Sequence, residues 1–478
     1  MTRQRQKWKE QFGDWFREVL ISAKIIDYRY PIKGCGVWLP YGFQLRKLIL
    51  NVIRHNLDTT NHDEMLFPTL LPEDLIAKES SHIHSFENEA YWITHGGRNP
   101  LGIKLALRPT SETAITPMAK LWIRSHADLP LKLYQIGSIF RYETKATRPL
   151  IRVREVSTFK EAHTFHATHQ DSTAQVTTAN AIYQKIFDSL AIPYVISERP
   201  SWDRFAGALA TYAFDTIFPD GRCLQIGTTH DLGQNFSKAF NVTYETPEGT
   251  QAPVWQTSYG ISERAVAAII ALHGDDRGLL LPPIAAPIQV VIIPILFKGT
   301  EEAVMNECQK VHTSLVKQGI RSFVDDRAKI TPGAKYYEWE AKGVPIRIEI
   351  GPRDLKQRNV TLVRRDLGNR VTYQRNALNI SDNLTEINTN LHAHAREWMQ
   401  ARIHRVTSLG DAQQILNSKG GIVETPWCGE ELCGRKMEAI VDVRVLGQPF
   451  EENGDSVTGT CTNCETPATA ILRLARTY

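Results

Sequence analysis

Arg141 and Glu143 stand two positions apart in the run FRYETK at 140–145, beside the alternating Ile139, Phe140 and Tyr142. The alternation predicts a strand, which would turn both charged side chains to one face. Farther along, Ser262 and Arg264 close the run SYGISER and open a helical pattern from Ala265 to Leu272. A planar guanidinium can hold a phosphate through two parallel hydrogen bonds, and a second can stack on a purine ring; an ammonium does both poorly. Two arginines so placed point to ATP as a ligand.

A second set of polar residues suits an amine. Pro109-Thr110-Ser111-Glu112 offers a hydroxyl and a carboxylate two residues apart. On a strand both would face one way. Before the apolar Ala114 and Ile115 the same residues could equally cap a helix. His230, taken alone, reads as a core histidine. The tail carries four of the seven cysteines, Cys428, Cys433, Cys461 and Cys464, spaced C-x4-C, 27 residues, C-x2-C. Each close pair can span adjacent vertices of a tetrahedral zinc, and the intervening loop returns the second pair. No open catalytic position surrounds them, so the metal is expected to be structural. Cys35, Cys223 and Cys308 are isolated and read as packing residues.

The elements that must hold these residues follow from the apolar pattern. Leu45, Leu48, Ile49, Val52 and Ile53 predict a helix leading into a strand-like run, Met65 to Leu71, that carries Pro68. From there to about Leu280, short strand and turn patterns predict an antiparallel sheet with helices. The run LLLPPIAAP at 279–287 reads as a linker. Beyond it the pattern becomes strand Val290–Ile295, helix Glu301–Gln318 and strand Ser322–Val324. A helix capped by Thr331, begun by Pro332 and stopped at Gly343 comes next. Strands Arg347–Ile350 and Val360–Val363 complete an α/β unit, and Ala470–Leu474 is strand-like.

At 478 residues, 42% hydrophobic and 23% charged, the chain has the composition of a soluble multidomain protein. No apolar run reaches the ~18 residues of a membrane helix. The start, MTRQRQKWKE, lacks the apolar core of a signal peptide. That disfavours disulfides and predicts a cytoplasmic location without a membrane partner. Trp8, Phe12, Trp15, Phe16, Val19 and Leu20 fall at helical spacing. They fit a helix packed on its own protein, with a membrane-surface helix as the alternative. Net charge is only +4, yet residues 317–375 hold fourteen Lys or Arg against seven Asp or Glu. That surplus suits an RNA backbone or a plain solvated face.

Four runs in order, LRPTSETAI (107–115), FRYETKATRPLIRVREVSTFKEAHTFHAT (140–168), CLQIGTTHDLGQNFSKAF (223–240) and SYGISERAV (258–266), carry a resemblance. The arginine pair resembles motifs 2 and 3 of the class II aminoacyl-tRNA synthetases, and the whole set resembles the archaeal and eukaryotic type of prolyl-tRNA synthetase across essentially the full chain. The resemblance implies an α+β catalytic domain over 1–281, a linker at 282–287, an α/β anticodon-binding domain over 288–384 and a small zinc-binding α/β domain over 385–478. It implies activation of L-proline by ATP, with Mg2+, and transfer to tRNA(Pro), in a homodimer whose interface includes the helix and strand near 41–71.

The resemblance also carries roles onto residues. Arg141 would bind the α-phosphate and the proline carboxylate; Arg152, across a turn with Arg148 and Pro149, would reach the γ-phosphate. Glu143, Val153, Gln225 and Thr228 would contact ATP, Gln225 lying near magnesium, and Ser262 and Arg264 would hold the adenosine. Thr110, Glu112 and His230 would contact proline, with Phe159, Phe205 and Gly207 as walls. Glu340, Arg347, Glu349 and Arg353 are the candidates for reading the two guanines of a proline anticodon, unless they pair only among themselves. About 90 residues separate the second and third motifs. That is too few for an editing insertion, so mischarged Ala-tRNA(Pro) is expected to fall to a separate hydrolase. Tyr478 is expected to approach the catalytic site. A threonyl enzyme would build zinc into its pocket, which the tail cysteines argue against. A catalytically silent relative that binds tRNA is the remaining alternative.

Overall fold

The computed structural model describes residues 7–77, 89–450 and 457–478; the first six residues of the basic start lie outside these. Eleven strands form one sheet in the order Ile403–Arg405, Ile422–Trp427, Ala470–Ala475, Arg444–Pro449, Val195–Glu198, Ala210–Ile217, Cys223–Gly233, Trp255–Ser262, Glu155–His166, Leu131–Phe140, Asp63–Glu64. All neighbours are antiparallel except the two outermost pairs, which run parallel. The expected antiparallel catalytic sheet is its centre. The C-terminal strands were expected to form a unit of their own; they do so around a core of their own and also join the central sheet, Gln448 pairing with Glu198 and Pro449 with Ser197. So short a pairing gives no sequence signal of its partner.

Helix Phe12–Ser22 buries Phe12, Trp15, Phe16, Val19 and Leu20. Trp8 Nε1 and Trp15 Nε1 donate to the carbonyls of Ala271 (2.9 Å) and Asp275 (3.0 Å), which ties the segment to its own protein. Helix Pro40–Asp58 turns Leu45, Ile49, Ile53 and Leu57 inward. The strand expected over Met65–Leu71 is two short pieces, Asp63–Glu64 and Leu70–Pro72, with an unladdered stretch between. There Met65 N–H donates to the Tyr134 carbonyl (2.7 Å) and Phe67 N–H to a glutamine side chain (3.1 Å), and Pro68 offers no donor at all.

The second sheet has the order Ser322–Val324, Val290–Pro294, Ile346–Ile350, Asn359–Arg364, Arg370–Gln374. Helices Glu301–Lys317 and Pro332–Ala341 cover it, the latter capped by Thr331 Oγ1 on Ala334 N–H at 3.4 Å. The last strand, Arg370–Gln374, was not foreseen; Val371 and Tyr373 alternate with Arg370, Thr372 and Gln374, but the run is short and mostly exposed. The proline-rich run at 282–287 is not a free spacer. Leu279, Leu281, Ala285 and Ala286 are fully buried in the main core. Arg321 donates to the carbonyls of Pro283 (2.6 Å) and Ala286 (2.9 Å). No helix among the described residues is long and apolar enough to cross a membrane.

Candidate active site

One face of the central sheet forms the floor of a cavity of about 310 Å³. Cross-strand register sets its rows. His163, Ser258, His230 and Thr211 lie side by side on four adjacent strands. The next row is Gln135, Glu161, Gly260 and Thr228. Phe159 pairs with Ser262 one step further. Because side chains alternate, these residues, two apart on each strand, share a face. Gly260 leaves that face open: a Cβ there would meet the Phe159 ring at 3.0 Å.

Glu112 is the first residue of helix Glu112–Trp122, so the strand geometry considered for Thr110 and Glu112 does not occur. The two still act as one unit. Thr110 Oγ1 donates to Glu112 Oε2, and Ser258 Oγ donates to Oε1 at 2.9 Å. Burial pushes the Glu112 carboxyl up, but His163 and the hydroxyl donors outweigh it and hold the group below the usual carboxylate range. His230 stacks on Phe205, ring centres 4.8 Å apart, and its Nδ1 lies 2.9 Å from Thr211 Oγ1. Burial pulls its imidazole well down, leaving it neutral at pH 7. Gly207, expected as a wall, takes a positive φ of 80° in the turn after Phe205 and does not line the cavity.

The strand expected through Arg141 and Glu143 ends at Phe140. A bulge between Gly137 and Ile139 shifts the register, and Arg141 N–H makes a last bond to the Arg154 carbonyl (2.9 Å) before the chain departs. Arg141 Nε donates to the Pro109 carbonyl (3.2 Å), which sets the guanidinium beside the Thr110–Glu112 segment. Arg148 and Arg152 exchange backbone hydrogen bonds of 2.8 and 2.9 Å across the expected turn. The cavity is lined by both Arg141 and Arg152 as well as Glu143 and the buried Val153.

Arg264 begins helix Arg264–His273 and donates to the carbonyls of Ile151 (2.9 Å) and Gln225 (3.2 Å); its N–H rests on Ser262 Oγ (3.2 Å). Burial, then repulsion from Arg141 and Arg152, pulls its guanidinium down to about 10. Three guanidiniums converging on one cavity make a site for a polyanion. Two partners were missed in the sequence. Arg199 is buried, pairs with Asp215 (3.0 Å) and donates to Gln225 Oε1 (3.1 Å). Glu263 accepts from Ser157 N–H (3.2 Å) and Oγ (3.0 Å), and burial pushes it up to about 7. Arg199 lies outside the four runs, just after strand Val195–Glu198, whereas Glu263 lies within the run 258–266 between Ser262 and Arg264 and was passed over there.

Away from the cavity, the sulfurs of Cys428, Cys433, Cys461 and Cys464 lie within 4.8 Å of one another, so the tail can hold a metal ion. Asn463 Nδ2 donates to Cys433 Sγ at 3.2 Å. In the second sheet, Arg347 bridges Glu340 (3.2 Å) and Glu349 (3.0 Å), and Arg370 pairs with the other oxygen of Glu349 (2.5 Å). Arg347 also covers the Tyr336 ring at 4.1 Å. Arg353 is exposed on the short helix Pro352–Gln357.

The model of the class II tRNA synthetase core domain (G, H, P, S and T) matches residues 91–273, an anticodon-binding domain model matches 289–380, and a prolyl-tRNA synthetase C-terminal model matches 409–478. Fold and site thus define a class II aminoacyl-tRNA synthetase. Proteins called "Proline--tRNA ligase" from Aeropyrum pernix and Saccharolobus islandicus are 52% and 51% identical to the chain, each over 99% of both partners. A Giardia lamblia prolyl-tRNA synthetase solved with prolyl-adenylate superposes with a TM-score of 0.95 at 36% identity, over 99% of both chains. The chain belongs to the prolyl-tRNA synthetase family, the enzymes that join proline to tRNA. The alternative of a catalytically silent relative finds no support, since similarity runs through the whole chain.

Proposed function

We propose that the cavity binds ATP and L-proline together and forms prolyl-adenylate, which is then transferred to tRNA(Pro). The observation that carries this reading is the convergence of Arg141, Arg152 and Arg264 beside the anionic Glu112 in one cavity. Proline brings an ammonium for Glu112 and Thr110 and a carboxylate for Arg141. That carboxylate is ionised at neutral pH, so its attack on the α-phosphorus needs no general base; positioning and cations lower the barrier. Arg141 binds the α-phosphate and the proline carboxylate, Arg152 the γ-phosphate, and Arg264 with Ser262 the adenosine. Glu143, Val153, Gln225 and Thr228 complete the ATP contacts. His230 and Phe205, with Phe159, wall the ring.

Magnesium would offset the polyphosphate charge, held mainly by phosphate oxygens. Gln225 fits a place near it: one lone pair of Oε1 takes the Arg199 bond, leaving the other for the ion or its water. The four tail thiolates fit zinc. A tetrahedron with Zn–S of about 2.3 Å has edges of ~3.8 Å, and Cys464 Sγ and Cys428 Sγ are 3.8 Å apart. The ion would fasten the loop 428–433 to the loop 461–464.

Leu66, Leu70, Leu121 and Trp122 leave large apolar surfaces exposed, Leu66 and Leu70 in the segment that follows helix Pro40–Asp58, which supports a homodimer joined through that segment. Residues 167–254, between the second and third motifs, are taken up by strands of the large sheet, helices His169–Ser189 and Asn235–Phe240, the small sheet of Thr243–Glu245 and Gln251–Pro253, and the turns that join them. This supports the lack of a cis-editing insertion and clearance of Ala-tRNA(Pro) by a separate hydrolase. Seven unpaired thiols support a cytoplasmic location. The Glu340, Arg347, Glu349 and Arg353 region is our candidate for reading the anticodon, its ion pairs exchanging for guanine edges. We divide the chain into units at 1–281, 288–384 and 385–478, with 282–287 as a packed connection. Charging of a tRNA(Pro) transcript with labelled proline tests the whole reading; no acid-precipitable product with folded protein would reject it.

A further inference from the structure

Ser111 occupies the position before helix Glu112–Trp122 where a serine ordinarily accepts a hydrogen bond from the first turn, yet its side chain makes no such bond. Its hydroxyl, fully buried, turns the other way: Oγ donates to Glu161 Oε2 and accepts from Gln135 Nε2 at 2.7 Å. The direction of each bond is forced from outside. Gln135 Oε1 takes Phe67 N–H (3.1 Å) and Arg108 Nη1 (3.1 Å), groups that can only donate. Its amide nitrogen must therefore point to Ser111. With that proton received, the single Ser111 hydroxyl proton can go only to Glu161.

Arg108 is buried and also donates to the carbonyls of Ser138 (2.9 Å) and Phe67 (2.8 Å), so the start of the relay is anchored to strand Leu131–Phe140 and to the stretch before strand Leu70–Pro72. Gly137 makes room for it: a Cβ there would collide with Arg108 Nη2. Glu161 lines the cavity at the other end. Burial, with the neighbouring Glu112 charge, pushes its carboxyl well above the usual carboxylate range, and Ser111, Arg108 and Arg141 offset this only in part. Two carboxyls of the same cavity are driven apart, Glu112 down and Glu161 up.

We propose that Arg108, Gln135, Ser111 and Glu161 form a one-way hydrogen-bond relay that positions the Thr110–Glu112 clamp and thereby sets the affinity for proline, without contact to ATP. The inference rests on the reading of Thr110 and Glu112 as the proline clamp. Ser111 and Gln135 are positioning residues.

The test is proline-dependent ATP–pyrophosphate exchange on the full-length protein, with proline and ATP varied separately, for Ser111→Ala, Gln135→Met, the double variant and Glu161→Gln. Ser111→Ala should raise the KM for proline roughly tenfold, as a slightly displaced clamp would. The KM for ATP should rise far less than that for proline, since the break displaces the Thr110–Glu112 clamp and leaves the arginines in place. The double variant should be no worse than the worse single one, because one relay is broken once. Glu161→Gln, at a carboxyl that lines the cavity and ends the relay, should raise the KM for proline at least as much as Ser111→Ala. Unchanged proline KM in Ser111→Ala, parallel rises for both substrates, or additive losses would overturn the proposal, and Ser111→Ala alone decides if Gln135→Met does not fold. Glu112→Gln serves as the reference: if it too leaves the proline KM unmoved, the clamp reading falls along with the relay.

Discussion

Ser258 and Glu112, 146 positions apart, are joined by a 2.9 Å hydrogen bond from Oγ to Oε1. It fixes the carboxylate at the start of a helix against the strand that ends in Ser262 and runs on to Arg264, so the amine site and the nucleotide site share one rigid mount. Glu112→Gln keeps the shape and an acceptor but removes the charge. The KM for proline should rise at least tenfold, a loss of ~1.4 kcal/mol or more for an ion-paired ammonium. Steady-state exchange kinetics would show it, and an unchanged KM would remove Glu112 from the pocket.

Arg264→Lys retains a charge but cannot stack or reach two carbonyls at once. Exchange should fall about 100-fold or more, in the range seen when one transition-state contact is lost. The fold should survive, because the lysine ammonium can still reach one of the Ile151 and Gln225 carbonyls. A variant within threefold of the parent would contradict the assignment.

Arg141, Arg152 and Arg264 were legible as a group because each falls in one of the four runs, and the structure brings all three to one cavity, although the strand expected through Arg141 ends at Phe140. Thr110 and Glu112 were not decidable from spacing alone. Helix start and cavity lining are one arrangement, since Ser111 leaves the capping role while Thr110 and Glu112 face the cavity. Glu161 and Glu263 lie within the four runs, but their spacing alone does not mark them out; Arg199 and Gln135 lie outside them, and their meaning lies in which strands neighbour theirs, which no local pattern encodes. The same holds for the tail joining the catalytic sheet through Gln448 and Pro449.

In the second sheet, Arg347→Ala should raise the KM for tRNA in aminoacylation by roughly tenfold, the cost of one lost guanine contact. Proline-dependent exchange should be unchanged. Equal loss in both assays would mean that the Glu340–Arg347–Glu349 cluster is purely structural.

Cys461 is buried, and replacing it with serine removes one thiolate of the four. Metal analysis of the parent should give about one zinc per chain, and Cys461→Ser should lose it together with several degrees of thermal midpoint. A parent that purifies without metal and gains no stability from added zinc would refute the site.

Burial pulls His62, His166 and His273 down to about 4. A depressed histidine is charged more readily when unfolded, so stability is full above about pH 6.5 and is lost as pH falls toward 4. By pH 5 each costs about 2 kcal/mol. Glu263, pushed up to about 7, works the opposite way and gains stability as it takes a proton. Histidines outnumber it, so the thermal midpoint should be lower at pH 5 than at pH 7. A flat or rising profile would contradict the burial of these rings.

The central claim is that the cavity activates proline. ATP–pyrophosphate exchange on purified protein, run with proline, threonine, alanine and cysteine, addresses it directly. Exchange with proline far above the other three is the predicted result. Silence with every amino acid, from folded protein that still binds tRNA, would contradict it.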